Sequence, residues 1–298
     1  MSNDRARLLD PHFVSKLARL DLRARLVVEG FLTGLHRSPY HGFSVEFAEH
    51  RQYMPGDPLR HLDWKVLAKS DRKYLKQYQE ETNLRAHLLV DTSASMGYGS
   101  RGVTKLDYAR QLAASLAYLI LGQHDAVGLF AFAQGRGEQI PARSTMGHMR
   151  PLLGLLERMK ASGGTDFTAS LHALAERITR RGLVMILSDL LDEPEKVAQA
   201  IHHFRHRRHE VLVFHILDPQ EVAFDFNREA VYVDVEGGAR VTTRPRELRD
   251  DYRARLTEWR DRLRAICIEK RADYVALTTD VPYDRALLEY LGKRSRLL

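Results

Sequence analysis

From Asn83 onward, short apolar runs alternate with amphipathic stretches of helical period, the pattern of a parallel sheet covered by helices on both faces. The runs predict strands at Leu84–Val90, Ala126–Phe132, Glu138–Ile140, Leu183–Ser188, Val211–Leu217 and Tyr274–Leu277. Between them, Leu106, Ala109, Ala113, Leu116, Ala117 and Ile120 recur at spacings of three, four, three, one and three. That spacing puts an apolar stripe on one helix face, with Gly122 placed to end the helix. Phe167, Leu171, Leu174, Ala175 and Ile178 mark a second helix. Leu248, Tyr252, Leu256, Trp259, Leu263 and Ile266 mark a long late helix whose other face is charged. No helix is visible between Asp218 and Arg246. Instead Val231–Val235 and Ala239–Thr243 flank Glu236-Gly237-Gly238 and predict a hairpin.

Upstream, Phe13, Leu17, Leu20, Val27, Val28 and Phe31 lie among Lys16, Arg19, Arg23 and Arg25 and predict a helical lead-in over residues 1–35, breaking near Gly30. Residues 36–82 change texture to aromatics and turn formers: Pro39, Gly42, the run Pro55-Gly56-Asp57-Pro58, then Trp64. This segment reads as strands and turns, with Phe43–Tyr53 and Tyr74–Tyr78 as its candidate strands. The α/β core then occupies residues 83–298. If its strands, numbered as they come, follow the order 3-2-1-4-5-6, the first and fourth are neighbours astride the reversal of strand order, where ligands collect beyond the carboxyl ends of the strands.

Composition narrows the class. With 298 residues, 44% hydrophobic and 29% charged, the chain is an ordinary globular protein able to bury a large core. The single cysteine, Cys267, forms no internal disulfide and excludes zinc sites built on two or more thiolates; it falls on the apolar side of the late helix as a small packing residue. No apolar run reaches the roughly 18–20 residues that span a bilayer, and Met1 to Arg7 lead into no apolar signal core, so the expected location is the cytoplasm. Lys and Arg exceed Asp and Glu by 46 to 39, a net charge of +7 that favours acidic partners. The two signs are interleaved, which reads as a solvated surface rather than a nucleic-acid footprint.

Candidate chemistry begins where the first core strand ends. Val90 is followed by Asp91-Thr92-Ser93-Ala94-Ser95-Met96-Gly97, a carboxylate with hydroxyls two and four residues on. In a loop at a strand end, these oxygens can turn inward around one small hard cation such as Mg²⁺. Two further loops offer donors: Ser162-Gly163-Gly164-Thr165-Asp166, whose glycines let Thr165 approach closely, and Asp189 after the Leu183–Ser188 strand.

Asp91, Ser93 and Ser95, with Thr165 and Asp189, resemble the metal-ion-dependent adhesion site of von Willebrand factor A-type domains, with the motifs in that family's order. The resemblance implies a Rossmann-like von Willebrand factor A fold with a mostly parallel central sheet. It also implies that these five residues hold Mg²⁺ or Mn²⁺, directly or through water, with an open position for a partner's carboxylate. Two carboxylates only neutralise a divalent ion, which stays able to attract a further anionic oxygen. A narrower resemblance lies upstream. Glu46-Phe47, Arg51, Tyr53, Pro55-Gly56-Asp57, Arg60 and Leu62-Asp63-Trp64, then Lys76-Gln77-Tyr78 and Glu80-Glu81, are similar to the signature of an uncharacterised bacterial and archaeal family. Its members join that signature to a von Willebrand factor A-like core and are typically encoded beside MoxR-type AAA+ ATPases. This implies an adaptor, not an enzyme, working with such an ATPase or an acidic client. For the signature itself, a tight turn at Pro55-Gly56-Asp57 and an Arg60–Asp63 ion pair fixing Trp64 are the expected roles.

Other constellations are weaker. A haloacid-dehalogenase-type phosphatase also places an Asp after its first strand, but needs a carboxylic acid two residues on, where this chain has Ser93. Gly-x-Ser-x-Gly is broken around Ser95, which has Ser93 in place of the first glycine, and no Walker A run exists. His202, His206 and His209, with His203 alongside, have helical spacing, but Arg205, Arg207 and Arg208 crowd them and oppose a zinc ion. A Mg²⁺-dependent phosphate hydrolase using Asp91 and a nucleic-acid binder using the Arg205–His209 patch are the alternatives from other classes.

Overall fold

The computed structural model describes residues 44–52, 66–67, 74–81, 84–133, 136–164, 167–226, 230–233 and 240–282. Residues 38–83 cluster as one compact unit and those from Leu84 onward belong to another. In the first, β1 (Ser44–Gln52) and β2 (Tyr74–Glu81) pair antiparallel, with a register shift between Phe47 and Glu49. The lead-in helix, the Pro55-Gly56-Asp57 turn, Arg60, Asp63 and Trp64 lie outside the described residues.

In the second unit the elements run β3 (Arg85–Asp91), α1 (Lys105–Gly122), β4 (Ala126–Ala133), β5 (Arg136–Arg143), α2 (Met149–Arg158), α3 (Phe167–Arg177), β6 (Leu183–Ser188) and α4 (Pro194–His206). They continue with β7 (Glu210–Leu217), α5 (Pro219–Ala223), β8 (Ala230–Val233), β9 (Arg240–Thr243), α6 (Pro245–Glu269) and β10 (Asp273–Thr278). Six strands form one sheet in the order β10-β7-β6-β3-β4-β5, parallel throughout except for the edge strand β5. This is the expected 3-2-1-4-5-6 arrangement, a doubly wound α/β sheet. β8 and β9 form the separate antiparallel hairpin.

Alternation along β3 distributes its side chains to two cores. Ala86, Leu88 and Val90 pack with α1 and α2, including Leu112, Leu116, Leu152 and Leu156. Leu89 packs on the other face with Phe167 and Leu171 of α3, Val197 and Phe204 of α4, and Leu263 and Cys267 of α6. Burial on both faces explains why the central strands are continuous apolar runs. Cys267 is a buried packing residue, its thiol pushed up to about 12 by burial and by Asp273.

α1 ends at Gly122, as expected, and the left-handed turn that follows is made by His124, at φ 63°, with the amides of Gln123 and His124 returning to the carbonyls of Ile120 and Leu121. Two expectations are corrected. A helix does form between Asp218 and Arg246: α5 starts at Pro219, and its capping box joins Asp218 to Glu221. At five residues it is too short to show a period, although the cap was readable. The late helix is longer than its stripe, and of that stripe only Leu263 is fully covered among the described residues, while Leu248 is 42% exposed.

His87 on β3 is buried against Phe130, and neither ring nitrogen has a hydrogen-bond partner. Burial, then the nearby His209 and Arg85, lower its pKa to about 4. A folded-state value below the unfolded value of about 6.5 makes its contribution complete above pH 6.5, lost as pH falls toward 4. We predict that His87→Leu removes on the order of 1–2 kcal/mol of the stability difference between pH 7.5 and pH 5, read by urea denaturation at both. An unchanged difference would contradict a neutral buried imidazole.

Candidate metal centre

The carboxyl ends of β3 and β6 lie side by side because the two strands are parallel neighbours, with Val90 opposite Leu187. The next residues are Asp91 on one and Ser188-Asp189 on the other, at the reversal of strand order. Asp91, Ser93, Ser95, Ser188 and Asp189 are all buried, with Asp91 and Asp189 each only 1% exposed. Asp91 Oδ1 accepts the Ser93 N–H at 2.9 Å, which folds the chain into the short 3-10 turn Ala94–Gly97. That turn brings Ser93 Oγ within 2.9 Å of Ser95 Oγ. Ser188 Oγ donates to Asp91 Oδ2 at 2.6 Å and accepts the Leu190 N–H at 2.9 Å, and buried Leu190 sits at φ 53°. The reversal at Leu190 is a left-handed turn made without glycine.

Thr165 lies outside the described residues. The loop that leads to it is stitched to the Asp91 loop: Ser162 N–H donates to the Thr92 carbonyl and Ala94 N–H to the Gly163 carbonyl, both at 2.9 Å. Gly163, at φ 77°, supplies the left-handed residue that this approach needs.

Burial, then the adjacent Asp189 carboxylate, pushes the Asp91 carboxyl up to about 7 against the pull of its hydrogen bonds from Ser188 and Ser93. Asp189 has its own counter-charge. Lys105, the first residue of α1 and 0% exposed, places Nζ 2.8 Å from Asp189 Oδ2 and 2.7 Å from Glu221 Oε1. Burial works against the Lys105 charge, but Asp189 and Glu221 outweigh it and hold its pKa above the usual lysine range. Glu221 Oε2 in turn accepts the Asp218 N–H at 2.8 Å. Asp218 accepts from Ser100 N at 2.9 Å and Ser100 Oγ at 2.5 Å.

Lys105, Ser188, Asp218 and Glu221 were not singled out by motif. The one signal was a lysine at the first position of an apolar helix, where the helix dipole disfavours a cation. The donors are oxygens only, hydroxyls and carboxylates, which suits a hard divalent cation rather than a soft one. No group of three or more His, Cys, Asp or Glu side chains is arranged to hold a metal among the described residues, so hydroxyls or water must complete any coordination here.

The basic cluster on α4 has other engagements. His209 is buried beside Phe204, Arg205 donates to the His209 carbonyl at 2.9 Å, and Arg207 pairs with Glu176. His203 turns to His172 and Glu176, leaving His202 and His206 with ring centroids 6.2 Å apart. Only His202 and His206 of the 202–209 run therefore remain side by side, with His203 and His209 engaged elsewhere.

Residues 49–262 match the family described as "Protein of unknown function DUF58". The chain belongs to this family. Uncharacterized protein Rv1480 of Mycobacterium tuberculosis and uncharacterized protein Mb1516 of Mycobacterium bovis are each 30% identical to this DUF58 chain, over 96% of it and 91% of their own length. Among solved structures, BatB from Bacteroides thetaiotaomicron aligns with a TM-score of 0.49 at 16% identity, over 72% of this chain and 99% of that one. The SpRpn10 VWA domain aligns with a TM-score of 0.40 at 11% identity, over 72% of this chain and 95% of that one. Manganese-loaded TRAP of Plasmodium vivax aligns with a TM-score of 0.30 at 16% identity, over 45% and 57%. No described helix is long and apolar enough to cross a membrane.

Two buried carboxylates with one nearby cation make a site that is strained when empty of counter-charge. Asp91→Asn removes one of the two charges, so in chelator at pH 8 its melting temperature is expected to rise by several degrees over the parent chain. Thermal denaturation in EDTA reads this. A lower melting temperature would mean that the Asp91 charge stabilises the metal-free fold.

Proposed function

We propose that this DUF58 protein is a metal-dependent protein-interaction module of the von Willebrand factor A kind. Asp91, Ser93, Ser95, Thr165 and Asp189 would hold Mg²⁺ or Mn²⁺. The observation that carries the reading is the pair of buried carboxylates, Asp91 and Asp189, on adjacent parallel strand ends beside the two serine hydroxyls. When bound, the divalent ion would supply a Lewis-acidic centre able to take a carboxylate oxygen from a partner.

The chain's own groups do the rest. The Ser93 amide and the Ser188 hydroxyl each donate to Asp91 and fix both of its oxygens in direction. Such hydrogen-bonded support sets the geometry that a hard cation requires. The backbone contacts of Ser162 and Gly163 hold those two residues to the same rim. Near it, Tyr98 donates to Gln220 of α5, and Leu191, 51% exposed, lies two residues after Asp189, so an incoming chain would meet both polar and apolar surface. The gene-neighbour resemblance points to a MoxR-type AAA+ ATPase, or a client of it, as the source of the acidic residue, with the complex formed in the cytoplasm.

A pull-down of the purified neighbouring ATPase tests this. Capture in Mg²⁺ is expected to fall at least about tenfold in EDTA and in Asp91→Ala, in keeping with the loss of a charge-assisted contact. Equal capture in all three would refute a metal-mediated contact. Turnover of a phosphate ester that vanishes in Asp91→Asn would replace the reading with a hydrolase.

A further inference from the structure

Lys105 is hard to explain from the needs of α1 alone. It begins α1, whose N-terminus is already served by the Thr104–Asp107 capping box and whose other buried positions include Leu106, Tyr108, Ala109 and Leu112. A cation at that end opposes the helix dipole, and full burial of an ammonium carries a desolvation penalty before its partners are counted. A methyl-terminated chain in its place would relieve both terms but strip Asp189 and Glu221 of this counter-charge, a net loss of stability. What the ammonium does is bridge two carboxylates, Asp189 Oδ2 at 2.8 Å and Glu221 Oε1 at 2.7 Å. Asp91, by contrast, is met by an amide and a hydroxyl.

The two proposed acidic ligands are thus unequal. We propose that Lys105 is a positioning residue of the metal centre, a resident counter-cation that holds Asp189 and limits how tightly the site binds a divalent ion alone. The inference rests on the metal-binding reading above. Formally Asp91, Asp189 and Glu221 carry a charge of minus three, which Lys105 reduces to minus two, and because the ammonium sits directly on Asp189 it competes with a divalent ion for that carboxylate. The Lys105–Glu221–Asp218–Ser100 chain of contacts ties this setting to α5 and to the 98–104 loop.

An opposite charge in contact with a carboxylate changes its proton affinity by about one to three pK units, a scale of tenfold or more that carries over to a competing cation. Lys105→Met in the full chain is therefore expected to bind Mn²⁺ at least about tenfold more tightly than the parent, by calorimetric titration with Mn²⁺ alone. It should do so although its melting temperature in EDTA falls, and a role confined to folding would not raise affinity in a destabilised variant. Glu221→Gln leaves the ammonium to Asp189 alone and is expected to weaken Mn²⁺ binding, which decides the matter if Lys105→Met fails to fold by circular dichroism.

Tighter binding in Lys105→Met, or weaker binding in Glu221→Gln where the first does not fold, upholds the proposal. Mn²⁺ binding by the parent that is unchanged or weaker in a folded Lys105→Met, or unchanged in Glu221→Gln where Lys105→Met does not fold, overturns it and leaves the metal-dependent function standing. Binding by Lys105→Met but not by the parent upholds the counter-cation and removes metal from the parent's function. Binding by neither overturns both.

Discussion

Two carboxylates with almost no access to water, on the ends of neighbouring parallel strands, are the constraint around which this rim is built. Like charges in a low-dielectric setting repel strongly, and the upward shift of Asp91 to about 7 registers that repulsion together with burial. Each nearby feature answers it in part. The Ser93 amide and Ser188 hydroxyl stabilise the charge on Asp91, and Lys105 stabilises that on Asp189. Neither set of contacts places a cation on Asp91, and this pair of buried carboxylates is the physical basis for our proposal that the rim holds a cation.

Topology brings these groups together. The reversal of strand order between β3 and β6 puts their carboxyl ends next to each other with helices diverging on opposite faces. The apolar residues of both strands are almost completely buried, so the register that sets Ser188 beside Asp91 is enforced by two cores at once. A one-residue slip would move Leu88 and Val90 to the wrong layer and carry the site apart with them.

Much of this was legible in the chain. The four central strands β3, β4, β6 and β7 follow from continuous apolar runs separated by helical stripes, because buried parallel strands write themselves in that way, whereas the strand order entered only as a condition and the antiparallel edge strand β5 carries no such run. The Asp91-x-Ser-x-Ser run and Asp189 were readable from their positions after strands. Lys105, Ser188 and Glu221 were not, since their roles arise from contacts across separations of 84, 97 and 116 residues. The helix α5 escaped notice because five residues carry no period. The stripe of α6 promised more burial than the described residues supply, as Leu248 demonstrates.

The most direct test is crystallographic. Crystals soaked in Mn²⁺ should show one anomalous-scattering peak within roughly 2.0–2.4 Å of an Asp91 carboxylate oxygen, with Ser93 and Ser95 hydroxyls in its coordination sphere. A map with no peak at this rim, or with the peak on the far side of the sheet and the Asp91 carboxyl unmoved, would contradict the account.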